Sequence, residues 1–584
     1  MFLPKADPTP APPLVPRSIG PSAIRSFLLL ICCFAAARSF GQTAQPDNPR
    51  GKISGAVINA VTKAPIPRAL VFSTDQRFAM LADGEGHFEF TPPDNGRTGI
   101  QGTIASQSVR FGGNCSWLRA RKPGFLDDCD EPRAASKSPA DDHTIALVPE
   151  SLISGRVTLP DNDRLFGARV QLFSREVHDG LPRWIPTKAA ITNSAGEFRF
   201  YELRAGEYKL LMHERGDNDP VVSSSANSYG YPPVYYPNAP DFAGAATIHL
   251  AAGESVEADL SAVRQQYYRV TIPVSNGDTN SGLIVNVQAP SGPGFSLGYN
   301  VAAKRIEGLL PTGNYMVVAT AFGDHSASGT VNLKVNAVAT EGPTMTLVPD
   351  SSITLDVKEE FTDTSWGGGA FLNDGRRTFT LRGPRAYLNA RLENVDNLLP
   401  ARGGSLRPPN GPNDPSIVLE NVPPGHYWLQ LNTSRGYLAS ARMGDVDLLH
   451  QPLVVAAGAS APVEIEMRDD TAEIDGTVSG LPPSAGAESQ PTGPQAWIYC
   501  VPLPDSAGQF QELTVSEGGR FTQTMMAPGD YRLLAFASPQ SHLPYRDSEA
   551  MKLYETKGPV VHLTAGQKIS VEVPLISDND LPEE

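Results

Sequence analysis

The chain is short of the residues on which most enzymes and membrane anchors depend. Of its 584 residues only five are cysteine. Cys32 and Cys33 share one apolar run near the start, and the other three, Cys115, Cys129 and Cys500, form no C-x-x-C pair of the redox or zinc-binding kind. The ten histidines are scattered, and none is followed three residues later by Glu, so both H-x-x-E and H-E-x-x-H metal-ligand spacings are missing. Phosphate-loop and dinucleotide fingerprints are absent as well. Charged residues make up 19%, and the balance is acidic, with a formal net charge of −15. A chain without a basic stripe has nothing to neutralise phosphates, which excludes nucleic acid as a partner. The one long apolar run, Phe27–Ala37, falls short of the roughly 20 residues a membrane-spanning helix needs.

That run reads as the core of a signal peptide. Lys5, Arg17 and Arg25 precede it, and small residues, Ser39 and Gly41, stand three before and one before a cut after Gly41. Residues 1–41 are therefore expected to be removed, leaving an exported chain with no transmembrane segment. Export permits disulfides, and Cys115–Cys129 would close a loop of about 15 residues, a staple of roughly 3 kcal/mol in the chain-entropy model. Cys500 alternates in phase with Ile498 and is expected as an inert core thiol.

What the chain has in quantity is glycine and proline, 53 of each, too many for a helical protein. Between these breakers run short stretches of period-two alternation, the mark of half-buried strands. In Asn193–Leu211, a Ser-Ala-Gly turn opens Glu197-Phe198-Arg199-Phe200, and Leu203-x-x-Gly206-x-Tyr208 opens a second run. The L-x-x-G-x-Y pattern fits a tyrosine corner, whose ring enters a sandwich core and whose hydroxyl bonds backbone a few residues upstream. Related patterns end at Tyr315, Tyr427 and Tyr531, and the four tyrosines are spaced about 104 to 112 residues apart, close to one sandwich domain each. The fold class is all-β: a tandem array of about five small Greek-key or prealbumin-like sandwiches after the signal peptide. Its expected divisions are 42–149, 150–262, 263–349 (degenerate, for want of a G-x-F-x-F turn), 350–468 and 469–576, with an acidic tail at 577–584. At two junctions the last strand runs through proline into the next first strand with hardly any linker, TIALVPESLISGRV (144–157) and TMTLVPDSSITLDV (344–357). Such junctions predict a semi-rigid rod.

One order of motifs is more specific. Gly55-x-Val57, Pro65-Ile66-x-x-Ala69-x-Val71, Asp83-x-x-Gly86-x-Phe88-x-Phe90 and Ala120-x-x-x-Gly124-Phe125 follow one another. This series resembles the carboxypeptidase regulatory-like domain, a prealbumin-like seven-stranded sandwich known as an appendage of zinc carboxypeptidases. The likeness covers about 53–148 and 151–262, is partial at 469–576 and weak at 263–468. It implies the appendage without its catalytic domain, since the metal-ligand spacings are missing.

The remaining chemistry is sparse. His87, His213, His249 and His562 lie in strand patterns and read as surface positions. Asp161-Asn-Asp163 and Asp578-Asn-Asp580 lack the Gly and Glu of a calcium loop. Trp428 and Trp497 alternate within strands and are expected in cores. Ser228–Phe242, SYGYPPVYYPNAPDF, is open to two readings. It is a crossover pinned by its tyrosines, or Tyr229, Tyr231, Tyr235 and Tyr236 present proline-stiffened rings on which sugar faces stack at little entropic cost. The sequence thus points to an exported, non-enzymatic interaction or scaffold protein of the cell envelope, with no catalytic residues, metal or cofactor. Alternatives are a carbohydrate-binding protein, through a starch-binding-like sandwich, or an accessory subunit of a secreted hydrolase. Its partner is an envelope protein or an extracellular glycan.

Overall fold

The computed structural model describes residues 53–73, 79–90, 118–126, 143–214, 229–276, 282–321, 326–363, 370–373, 378–395, 404–410 and 414–577, the last apart from 457, 459, 482–495, 505, 507, 516 and 541. The signal peptide, the acidic tail beyond residue 577 and both cysteines of the expected disulfide, Cys115 and Cys129, lie outside these residues.

Among the described residues strands dominate, and they gather around five large apolar cores, with two smaller clusters around Trp497 and around Tyr235. The five are centred on Val57 and Val71, on Ile153 and Leu210, on Ile272 and Val317, on Ile353 and Leu419, and on Ile474 and Leu533. The alternation in sequence produces them directly. In Ser151–Thr158, positions 151, 153, 155 and 157 are buried and those between them are not, as a pleated strand with one face on a core requires.

One plan recurs in all five. The opening strand lies between an antiparallel neighbour and a parallel closing strand. In the first sandwich Ile53–Asn59 pairs with His87–Phe90 and His143–Leu147. In the second, Ser151–Thr158 pairs with Glu197–Leu203 and, in parallel, with Ser255–Glu257. The fourth and fifth repeat this with Ser351–Glu360 and Ala472–Ser479. The third, expected to be degenerate, keeps the same plan. Its Gln265–Ser275 pairs antiparallel with Arg305–Pro311 and parallel with Thr340–Glu341 and Met345–Thr346. What it lacks is a turn motif, not a core.

The four patterned tyrosines are buried, and each phenol donates to the carbonyl four residues upstream: Tyr208 to Arg204 (2.9 Å), Tyr315 to Pro311 (2.9 Å), Tyr427 to Pro423 (2.9 Å) and Tyr531 to Ala527 (2.8 Å). Burial pushes all four phenols up, Tyr427 to about 12. At Gly313 and Gly425 the glycine two residues earlier is bare because the ring folds back beneath it, whereas Gly206 and Gly529 have positive φ (153° and 149°). A Cβ on Gly313 would meet the Tyr315 hydroxyl at 2.9 Å. Tyr531 also accepts from the Gln509 amide at 2.9 Å. We expect Tyr208→Phe to cost about 0.5–1.5 kcal/mol, the net worth of one hydrogen bond. Tyr531→Phe should cost more, because it strands a donor as well as an acceptor. Denaturant unfolding of the two variants tests the order.

Consecutive sandwiches are bonded rather than merely tethered. Glu150 N donates to Gly124 O and Leu126 N to Val148 O at the first junction. At the third, Ser326 Oγ donates to Asn421 Oδ1 at 2.9 Å and Ser328 Oγ to Asp350 Oδ1 at 2.6 Å. At the fourth, Asp469 accepts from the Thr362 and Asp363 amides (2.8 and 2.9 Å). Beside it Asp470 accepts from Arg468 Nε (3.0 Å) and Nη2 (2.5 Å) and from the Tyr437 hydroxyl (2.9 Å). The Arg468 bond, helped by Tyr437, holds the Asp470 carboxyl below its ordinary value of 3.8 against the opposing effect of burial. A carboxyl whose pKa is lower in the folded state contributes stability that is complete above about pH 4 and is lost as pH falls through the lowered value. Acid titration followed by calorimetry should therefore weaken this joint below pH 4, and Asp470→Asn should flatten that dependence.

Candidate functional site: an aromatic joint, a hairpin clasp and the cleft beside it

The Tyr/Pro segment is a joint between the second and third sandwiches. Tyr229–Gly230 pairs antiparallel with Gln265–Gln266, adding a strand to the sheet of the third. Val234–Tyr235 pairs with Leu211–Met212 of the second. Tyr235 is fully buried; its ring meets Phe242 edge-on at 5.7 Å, and Phe242 in turn meets Phe173 and Trp184. A Cβ on Gly292 of the third sandwich would lie 2.2 Å from the Tyr235 hydroxyl, so glycine is what lets the two units close up. Lys209 lies in the same cluster, its Nζ 4.6 Å from the Phe242 ring centre and donating to Phe242 O at 3.0 Å; burial pushes its pKa down.

This arrangement corrects the reading of four tyrosines as one sugar platform. Tyr235 offers no face to solvent. Tyr231 and Tyr236 pack against the core of the second sandwich. Tyr229 alone is exposed, at 52%, and Arg264 sits over its ring at 4.7 Å. The rings are used internally because a long crossover must bury its own apolar residues on the sheet it crosses.

A second correction concerns the rod. Strands Arg169–His178 and Leu181–Ile191 form a hairpin of the second sandwich that reaches past its neighbours in sequence. Asp179 and Gly180 form its two-residue turn, both with positive φ (49° and 73°), as a hairpin turn of the Asp-Gly type demands. The turn touches the fifth sandwich. The Tyr545 hydroxyl donates to Asp179 Oδ1 at 2.6 Å, Arg546 Nη1 lies 2.6 Å from Asp179 Oδ2, and Arg546 N donates to Gly180 O at 3.0 Å. A Cβ on Gly180 would meet the Tyr545 ring at 2.7 Å. Tyr545 stacks on Phe510 at 3.8 Å and 7°. Burial, then the bond to Asp179, pushes the Tyr545 phenol up. Further along the hairpin, buried Arg183 donates to Glu393 of the fourth sandwich at 2.8 Å. The second sandwich is thus clasped to the fourth and fifth. The sequence carries a signal, an Asp-Gly pair between Val177-His178 and Leu181-Pro182, but charged residues break the alternation around it.

Beside the clasp a cleft of about 1120 Å³ opens between the fourth and fifth sandwiches. Trp428, expected in a core, lines it instead. It is half-buried on the outward face of strand Gly425–Thr433, with Arg546 over its ring at 5.6 Å. Trp497 is buried as expected, and so is Cys500, whose thiol burial pushes up to about 12.

Gly294-Phe-Ser296-Leu-Gly298 spells the G-x-S-x-G pattern of a nucleophile elbow. That device needs a strand running into a helix; here the serine lies between strands Gly292–Phe295 and Gly298–Asn300. Among the described residues no group of three or more His, Cys, Asp or Glu is placed to hold a metal ion. Nor, among them, is any helix long and apolar enough to cross a membrane.

No family model and no curated protein matches the chain. Solved structures similar to parts of it include a streptococcal ancillary pilin (11% identity over 51% of this chain and 99% of that one, TM-score 0.17). Another is the minor pilin of Streptococcus agalactiae (12%, 36% and 95%, TM-score 0.17). A third is the Bacillus anthracis TIE protein (8%, 72% and 72%, TM-score 0.14).

Proposed function

We propose that the chain is an exported, non-enzymatic scaffold or interaction protein of the cell envelope, in which tandem sandwiches are locked into one body. The observation that carries this is the clasp. A hairpin of the second sandwich spends its turn on contacts with the fifth, across more than 300 residues of chain. Such a contact fixes the spacing of surfaces, which is what a scaffold supplies. The signal-peptide pattern and the acidic surface fit an exported protein kept apart from polyanions. The series Gly55 to Phe125 supports assigning the first sandwich to the carboxypeptidase regulatory-like type.

Fractionation of cells producing the full chain, with N-terminal sequencing of the product, tests the reading. The expected result is a chain beginning at Gln42 in the envelope or medium, cross-linking to envelope components. A chain with its first 41 residues intact in the cytosol would overturn it.

A further inference from the structure

We propose that the cleft between the fourth and fifth sandwiches is a binding site for a neutral oligosaccharide. Its volume, about 1120 Å³, exceeds what a single small metabolite fills and suits several linked rings. One wall is the outward face of Gly425–Thr433, where Trp428, Gln430 and Asn432 alternate along the strand and so project to the same side, roughly 6.8 Å apart. The other wall brings Gln511 and Gln523 from two strands of the fifth sandwich.

The chemistry of these walls selects the ligand. A carboxamide both donates and accepts, as a sugar hydroxyl does. Among the described residues the carboxamides of Asn432, Gln511 and Gln523 make no side-chain hydrogen bond within the chain, although all three line the same cleft. Gln430 is held in place by Glu393 at 2.5 Å and Arg391 at 2.5 Å, so one amide is already oriented. The indole of Trp428, steadied by Arg546, supplies the apolar surface on which a pyranose C–H face rests. The charges nearby balance. Asp179 is met by Arg546 and Lys552 by Glu549, and the two other formal charges of the lining, Arg532 and Glu555, are of opposite sign. No net excess of either sign remains to recruit a phosphate or a uronate. The hairpin turn at Asp179 closes one end of the cleft, so the clasp fixes the distance between the walls.

The test is affinity electrophoresis and titration calorimetry of the mature full chain with neutral probes: maltoheptaose, cellohexaose, xylohexaose, chitohexaose, and a mannan. Heparin and polygalacturonate serve as acidic comparisons. Three variants run beside it: Trp428→Ala, the double variant Asn432→Ala/Gln523→Ala, and Tyr229→Ala, which lies outside the cleft. Thermal unfolding shows that each is folded. We expect retention by at least one neutral probe, a loss of roughly tenfold or more in affinity for Trp428→Ala, a comparable loss for the double variant, and no change for Tyr229→Ala. Retention by none of the neutral probes would overturn the proposal. So would binding that survives both cleft variants, or binding confined to the acidic polymers and abolished by salt. The scaffold reading stands or falls separately, on localisation.

Discussion

Replacing Tyr235 with alanine should destabilise the second sandwich by about 3–5 kcal/mol, the usual cost of removing a buried aromatic ring. The ring is fully buried, packs on Phe242 and fills the space beside Gly292 of the next sandwich, so its loss leaves a cavity at a joint. Calorimetric unfolding should show the second and third sandwiches melting at lower temperature. Tyr235→Phe separates ring from hydroxyl. The hydroxyl is buried and bonds to no protein atom in the structure, so its removal should be neutral or slightly stabilising, the reverse of Tyr208→Phe. If Tyr235→Ala left stability untouched, the ring would not be the internal support described here, and an exposed role for the segment would return.

The second large effect is expected at Gly180. Gly180→Val places a branched side chain where φ is positive and where even a Cβ comes within 2.7 Å of the Tyr545 ring. The clasp should open. With it go the Tyr545–Asp179 bond, of the kind worth about 1.5–3 kcal/mol when the acceptor is charged, and the Arg546 pair. Hydrogen exchange should accelerate around residues 179–181 and 545–547 while the individual cores stay protected. Because the substitution also strains the hairpin turn itself, Tyr545→Ala is the companion: it empties the far side without touching the turn. Acceleration at 179–181 in both variants identifies the clasp; acceleration in Gly180→Val alone would mean only a damaged turn.

The sequence made much of this architecture readable, and for a physical reason. Strand alternation, the tyrosine corner and the Pro-bearing junctions are local devices, each written within a few residues. Tyr208, Tyr315, Tyr427 and Tyr531 could be placed because ring, glycine and accepting carbonyl lie within five residues of one another. The uses of Tyr235 and Trp428 were not readable, because they depend on which sheet faces which. Tyr235 sits in a segment as aromatic and proline-stiffened as an exposed platform; only its burial against Gly292, more than 50 residues away, decides the matter. Trp428 alternates in a strand like a core residue but lies on the opposite face from Tyr427 and Leu429, turned toward the fifth sandwich. The clasp joins Asp179 to Tyr545, and nothing in either neighbourhood announces the other. A semi-rigid rod was the natural expectation because junction sequences report on neighbours and say nothing about a hairpin that returns.

The most direct test of a locked array is a cross-link across the clasp. The Cγ of Tyr545 lies 2.8 Å from a Cβ built on Gly180, and the Tyr545 Cβ is one bond further, so the two Cβ atoms are no farther apart than the roughly 4.5 Å upper limit of a disulfide. The double variant Gly180→Cys/Tyr545→Cys, mildly oxidised and mapped by peptide mass spectrometry, should link the peptide containing residue 180 to that containing residue 545 within one chain, at any protein dilution. Failure of that link to form, with both single variants folded and their thiols reactive, would contradict the account.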